Sequence, residues 1–171
     1  PAGNRGPRVD LQAHLADASN PIDESQYKYT THYLDNPAWD PIVNALKDSV
    51  LTRPESKVKV IFVPTYLNRA DGIFNKDYYE LLVGMDLTVF PSYYEPWGYT
   101  PLESVDFSVP TVTTTLAGFG LWVDKHREHA GVEVVRRDDY NDREVEQKVA
   151  ETLLRFSLLD EKHVNEMRTS A

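Results

Sequence analysis

The sequence predicts an α/β fold, a parallel sheet covered by flanking helices, on three observations. Apolar, β-branched runs of strand length recur at residues 58–63, 87–90, 111–115 and 132–135 without sustained polar alternation, as strands buried on both faces require. Helical stretches at residues 76–83, 100–107 and 120–129 separate them, the rhythm of crossovers between parallel strands. A last long element, residues 142–159, places Val145, Val149, Leu153 and Phe156 at spacings of four, four and three. That is one stripe of a helix, with Glu144, Glu146, Lys148 and Arg155 off it.

Taken in chain order, residues 1–56 are polar and broken by Pro7, Pro21, Pro37, Pro41 and Pro54, with helical character only at 11–16 and 41–51. They read as an N-terminal elaboration of a single domain whose sheet-forming part is residues 57–171. The strand at 87–90 runs into Pro91, and the helix beyond it carries its own start signals. Thr100 is the N-cap, Pro101 the first helical residue, and Glu103 lies three positions after the cap. After the strand at 111–115, Gly118 and Gly120 allow a tight return and read as structural. Lys125, His126, Arg127 and His129 read as a solvated face with no third metal ligand, and Asp138 and Asp139 as a helix entrance.

The chain of 171 residues carries 18 Lys and Arg against 27 Asp and Glu, a formal charge of −9, and is 41% hydrophobic. That is enough apolar residue for one buried core. An acidic chain repels polyanions, which argues against nucleic acid as a partner. Without cysteine there is no disulfide, thiolate nucleophile or cysteine-based zinc site. No apolar run approaches the roughly 20 residues that span a bilayer, so no membrane partner is expected. The first residues, PAGNRGP, show neither an initiator Met nor a signal-peptide core, and the chain reads as a piece of something longer.

Residues 89–104, VFPSYYEPWGYTPLES, carry the chemistry. In open α/β sheets, ligands sit outside the carboxyl ends of the strands. A helix N-terminus there offers unpaired N–H groups and a positive dipole end, so phosphate is the expected guest. Gly98 lets the backbone approach a ligand closely, flanked by the aromatic surfaces of Trp97 and Tyr99. Glu95 and Glu103 would repel phosphate; they suit sugar hydroxyls or positive charge developing on a sugar ring, so a sugar nucleotide fits the set. Two readings of Glu103 stand side by side: ligand contact, or a capping box in which the carboxylate returns to the Thr100 N–H. Tyr93, Tyr94, Trp97 and Tyr99 serve either as packing around the helix entrance or as ligand surface. Glu95, in mid-loop between aromatics, has no cap or helix pair to explain it, which points to function.

The run FPSYYEPWGYTPLES at 90–104, followed by VPTVTTTLAGFG at 109–120, resembles glycogen synthases of the eukaryotic type, retaining glycosyltransferases of two-domain GT-B fold that use UDP-glucose. The likeness extends upstream through KVKVIFVP at 57–64, through Tyr66, Leu67 and Asn68, and to Asn20, Pro21 and Ile22; downstream it runs to about Val123. It implies the Rossmann-like, C-terminal, donor-binding half of a GT-B fold. Glu95 and Glu103 match the family's E-x7-E motif. The resemblance assigns Glu95 to the transferred glucose and its cationic transition state, and Glu103 to the ribose hydroxyls. Trp97, Gly98, Tyr99 and Thr100 match the turn that presents N–H groups and a hydroxyl to the diphosphate. Tyr78 matches an aromatic that stacks on uracil, although by its own spacing it is an ordinary helix residue.

The implied activity is transfer of glucose to the non-reducing end of an α-1,4-glucan with retention of configuration. It needs no metal and no cofactor beyond the donor UDP-glucose, and its setting is cytoplasmic. The partners implied are the nucleotide sugar, the α-glucan and the N-terminal GT-B domain that is missing here, with a homo-oligomer open for the full-length protein. Alternatives are a retaining GT-B transferase with another sugar nucleotide or acceptor, and a non-catalytic module that binds glucan or a partner protein. The chain departs from the family pattern in two places. Residues 1–54 show no basic segment to neutralise departing UDP, and the arginine-rich helix that senses glucose 6-phosphate is replaced by scattered Arg137, Arg143, Arg155 and Arg168. The expectation is a piece that binds UDP weakly, transfers nothing alone and lacks that regulation, as in an unregulated microbial relative.

Overall fold

The computed structural model describes residues 30–32, 34–53, 55–126 and 131–171; the helix expected at 11–16, the match at residues 20–22, Arg127 and His129 lie outside them. The chain divides into two compact units, Pro1–Tyr78 and Tyr79–Ala171.

In the first unit, helix α1 (Pro41–Lys47) starts with Pro41 behind an Asp40 cap, whose carboxylate accepts the Val43 N–H at 2.9 Å. Val43 and Leu46 turn inward. The expected helix to residue 51 stops early, because the Ser49 hydroxyl accepts the Leu51 N–H and opens a separate 3-10 turn, Val50–Thr52. A side-chain acceptor of this kind competes with the helical carbonyl. Among the described residues the run at 58–63 pairs through one parallel bridge, between Phe62 and Thr30, and Val58 stays exposed. β-branched residues express their preference only when neighbouring strands cover them.

Asp71 organises the next loop. Its Oδ1 accepts from the N–H groups of Ile73, Phe74 and Asn75 at 2.7, 2.8 and 3.1 Å, and its Oδ2 from Asn68 N–H at 3.1 Å. His32 Nε2 donates to the Asp71 carbonyl at 2.9 Å. Burial opposes the Asp71 charge, but the backbone donors outweigh it and hold the carboxyl below its ordinary 3.8. A depressed folded pKa contributes stability above the unfolded value and loses it as pH falls through the folded one. Urea unfolding at neutral pH and again well below pH 3.8 should therefore show a smaller acid-induced loss for Asp71→Asn than for the parent. Equal losses would show that this loop does not contribute to acid sensitivity.

The second unit holds the sheet. Strands β1 (Thr88–Val89), β2 (Thr111–Thr114) and β3 (Val132–Val135) are parallel and lie in that order, with Thr88 opposite Thr111 and Thr111 opposite Val132. Helix α2 (Tyr78–Leu82) starts on the last residue of the first unit. Helix α3 (Tyr99–Asp106) connects β1 to β2, α4 (Gly118–His126) leads from β2 towards β3, and α5 (Asp142–Ser157) and α6 (Glu161–Ser170) follow. This is the predicted α/β architecture, with three ladder strands among the described residues at three of the four runs the sequence marked. Val112, Val135 and Val145 form the core, with Leu87, Val89 and Val149 packed against them. On α5 the inward position after Val149 is Thr152, while Leu153 faces out, because a period of 3.6 carries the stripe back one residue. No described helix is long and apolar enough to cross a membrane.

Candidate functional site

Phe90 N–H donates to the Val112 carbonyl at 2.8 Å, and after Pro91 the chain leaves the sheet as the loop that carries Glu95. The loop returns to the sheet through backbone. Glu95 N–H donates to Leu116 O at 3.1 Å, Gly118 N–H to Glu95 O at 3.2 Å, and Phe119 N–H to Trp97 O at 2.6 Å. The residues leading into α4 therefore form a second wall along residues 95–97. Such contact requires glycine: a Cβ on Gly118 would collide with the Pro96 carbonyl, and one on Gly120 with the Thr114 carbonyl. Both are structural, as expected, but as close-approach positions at the start of a helix rather than as a free loop.

Helix α3 begins earlier than Thr100. Gly98 is its N-cap, in the left-handed region at φ 95 and ψ 76, and provides no side-chain cap. Glycine adopts that conformation without penalty, so the chain closes into helix at Tyr99 and leaves Pro101 still within the first turn, where no N–H is needed. The N–H groups of Gly98, Tyr99 and Thr100 consequently have no intrahelical acceptor. The capping box does not form. Glu103 lies beyond the first turn, and its Oε1 accepts the Tyr79 hydroxyl at 3.0 Å. Tyr79 stacks on Phe107 with 5.0 Å between ring centroids. The hydrogen bond to Glu103, followed by the carboxylate's charge, raises the Tyr79 pKa above its ordinary 10.0.

Glu95 is half-buried, and its Oε2 is sealed from solvent with no hydrogen-bond partner among the described residues. That oxygen lies 3.2 Å from the point a Cβ on Gly98 would occupy. The glycine, buried itself, thus lets the carboxylate approach the helix entrance, with Ala117 and Pro101 as close on its other sides, where a Cβ would crowd all three. Trp97 packs edge-on against Phe119, with centroids 6.2 Å apart, while Tyr99 and Thr100 are exposed. The structure gathers Glu95, Trp97, Gly98, Tyr99, Thr100 and Glu103 on one loop and the helix that follows it. Tyr78 is half-buried at the start of α2 and belongs to the first unit.

Two participants escaped the sequence reading. Tyr79 meets Glu103, and Arg137 binds the loop: its guanidinium donates to the Pro91 carbonyl at 2.7 Å. The one sequence signal for Arg137 is its place just past the carboxyl end of a parallel strand, where loops of such sheets gather. His126 stacks on Trp122 at 4.5 Å, and its Nδ1 lies 2.6 Å from the Trp122 carbonyl oxygen.

Comparison with known proteins agrees with the motif. The family profile described as glycogen synthase matches residues 21–169. The chain is 38% identical over 121 residues to the glycogen [starch] synthase of Caenorhabditis elegans, covering 68% of this chain and 18% of that protein. It is 42% identical over 124 residues to isoform 1 of the Saccharomyces cerevisiae enzyme, again 68% and 18%, and 42% identical over 98 residues to the mouse liver enzyme, 57% and 14%. The chain thus spans less than a fifth of the length of these relatives.

Proposed function

The chain belongs to the glycogen synthase family, and from that membership we propose that it is the donor-binding part of a retaining GT-B transferase moving glucose from UDP-glucose to the non-reducing end of an α-1,4-glucan. The observation that carries the reading is Glu95 Oε2, sealed and without a hydrogen-bond partner among the described residues, beside the entrance of α3, which has no side-chain cap. When the bond from the anomeric carbon to the diphosphate breaks, positive charge develops on the sugar and negative charge on the leaving group. A fixed carboxylate answers the first, and helix N–H groups with their positive dipole end answer the second. No metal or cofactor is needed for that division of labour. Glu103 takes the ribose hydroxyls while keeping its bond from Tyr79, Thr100 offers its hydroxyl to the diphosphate, Trp97 and Tyr99 flank the turn, and Tyr78 stacks on uracil. The N-terminal domain completes the cleft and supplies the acceptor side.

The test is incorporation of labelled glucose into glycogen by the full-length protein. UDP-glucose should serve well and ADP-glucose poorly, and Glu103→Gln should raise KM for UDP-glucose about tenfold with a smaller change in kcat, as expected when ground-state binding is lost. No incorporation from either nucleotide sugar would overturn the activity. An unchanged KM in Glu103→Gln would remove Glu103 from the ribose.

A further inference from the structure

Arg137, two residues beyond β3, is 7% exposed and engages three segments at the carboxyl end of the sheet. Its Nη1 donates to the Pro91 carbonyl at 2.7 Å, and its Nη2 to Asp142 Oδ1, at the start of α5, also at 2.7 Å. The guanidinium carbon lies 3.4 Å from the centroid of the Tyr93 ring, and the Tyr93 hydroxyl donates to the same Asp142 oxygen at 3.1 Å. The Arg137 N–H donates to the Thr115 hydroxyl at 3.0 Å, and that hydroxyl donates back to the Arg137 carbonyl at 3.2 Å. Beside this clamp, Thr114 Oγ1 donates to the Ser92 carbonyl at 2.8 Å. The loop is thus held at Pro91, Ser92 and Tyr93 from below and at Glu95 and Trp97 by the start of α4, while Tyr94 is left exposed.

Stability alone is a weak account of this arrangement. A buried guanidinium is costly to desolvate, its Nε has no partner among the described residues, and Asp142 is half-exposed. Apolar side chains of similar volume commonly hold such a position at least as well. What an apolar side chain lacks is the rigid, planar fork that bonds two acceptors at fixed angles while stacking on a ring. That fork acts on Pro91 and Tyr93, four and two residues before Glu95.

We propose that Arg137 is a positioning residue for Glu95: by clamping Pro91, Tyr93 and Asp142 it fixes the loop so that the carboxylate stands where the transferred sugar develops charge. The inference rests on the reading of Glu95 given above. A charge-stabilising group acts at full strength only if it is fixed in place before the reaction, and small displacements lose much of the effect.

The experiment is a cycle in the full-length enzyme: parent, Glu95→Gln, Arg137→Lys and the double variant, with kcat and KM for UDP-glucose measured for each. A lysine ammonium cannot bond Pro91 and Asp142 as a fork or stack as a plane. Arg137→Lys should lower kcat about tenfold with KM within about twofold, whereas in the Glu95→Gln background its effect should shrink below about twofold. A merely structural arginine would lower kcat by the same factor in both backgrounds, which would overturn the proposal, as would full activity of Arg137→Lys. Parent-like turnover in Glu95→Gln would remove the functional reading and this inference together; loss at Glu95 with multiplying effects removes the inference alone. If Arg137→Lys does not fold, Tyr93→Leu takes its place, since that ring is 65% exposed and its loss spares both guanidinium hydrogen bonds. It should show the same non-multiplying pattern, and multiplying effects there would equally overturn the proposal.

Discussion

Glu95→Gln in the full-length enzyme is expected to lower kcat by about a hundredfold or more while KM for UDP-glucose stays within about threefold. The substitution keeps shape and volume and removes only the charge, so it isolates the electrostatic role. Its second consequence runs opposite to the usual effect of a mutation. Oε2 is sealed and has no partner among the described residues, and a buried polar atom without a partner costs stability rather than contributing it. The amide, which carries no charge to desolvate, should leave the unfolding midpoint unchanged or raise it. Loss of activity with stability held or gained separates a functional carboxylate from a structural one. A kcat within a few-fold of the parent, or activity and midpoint falling together, would sink the assignment.

The parts of this fold legible from sequence are those in which burial and periodicity coincide. All four residues of β2 are buried, so their uninterrupted β-branched pattern named the strand. The α5 stripe was visible for the same reason, with Thr152 in place of Leu153. The C-terminal helix α6 was not visible, because it buries no residue and its start rests on the Asp160 carboxylate accepting the His163 N–H. The run at 58–63 marks the limit of such patterns: its residue types say strand, but its pairing, a parallel bridge from Phe62 to Thr30 among the described residues, depends on neighbours far away in sequence.

At the site, the loop, the two glutamates and the helix entrance followed from local spacing. The shift of the cap from Thr100 to Gly98 did not, because a positive φ at glycine is permitted by the residue and decided by packing. The Tyr79 partner of Glu103 and the Pro91 partner of Arg137 lie 24 and 46 positions away. Only the three-dimensional structure shows that Arg137 touches the Glu95 loop rather than standing among scattered surface arginines.

Gly118→Ala is expected to cost stability and activity together. Within a helix, exchanging Gly for Ala ordinarily gains up to about 1 kcal/mol, and no left-handed φ at Gly118 forbids a side chain. The sign is reversed by the loop opposite: the new methyl would meet the Pro96 carbonyl oxygen, its carbon and the Trp97 Cα. All of these are backbone, so no rotamer change relieves the collision. Nor can the two segments separate cheaply, since Gly118 N–H to Glu95 O and Phe119 N–H to Trp97 O bind them directly at that place. The expected cost is about 3 kcal/mol, the upper end for overpacking, together with a fall in kcat because the segment pushed away carries Glu95. Gly84→Ala is the matched control: this exposed glycine has one tight neighbour, the Leu81 carbonyl oxygen at 3.3 Å, and should change stability by less than about 1 kcal/mol. Urea unfolding and glucosyl transfer on both variants decide the point. Equal, small effects at the two glycines would mean that the wall between α4 and the Glu95 loop yields, and with it the argument that this loop is held rigid before the donor arrives.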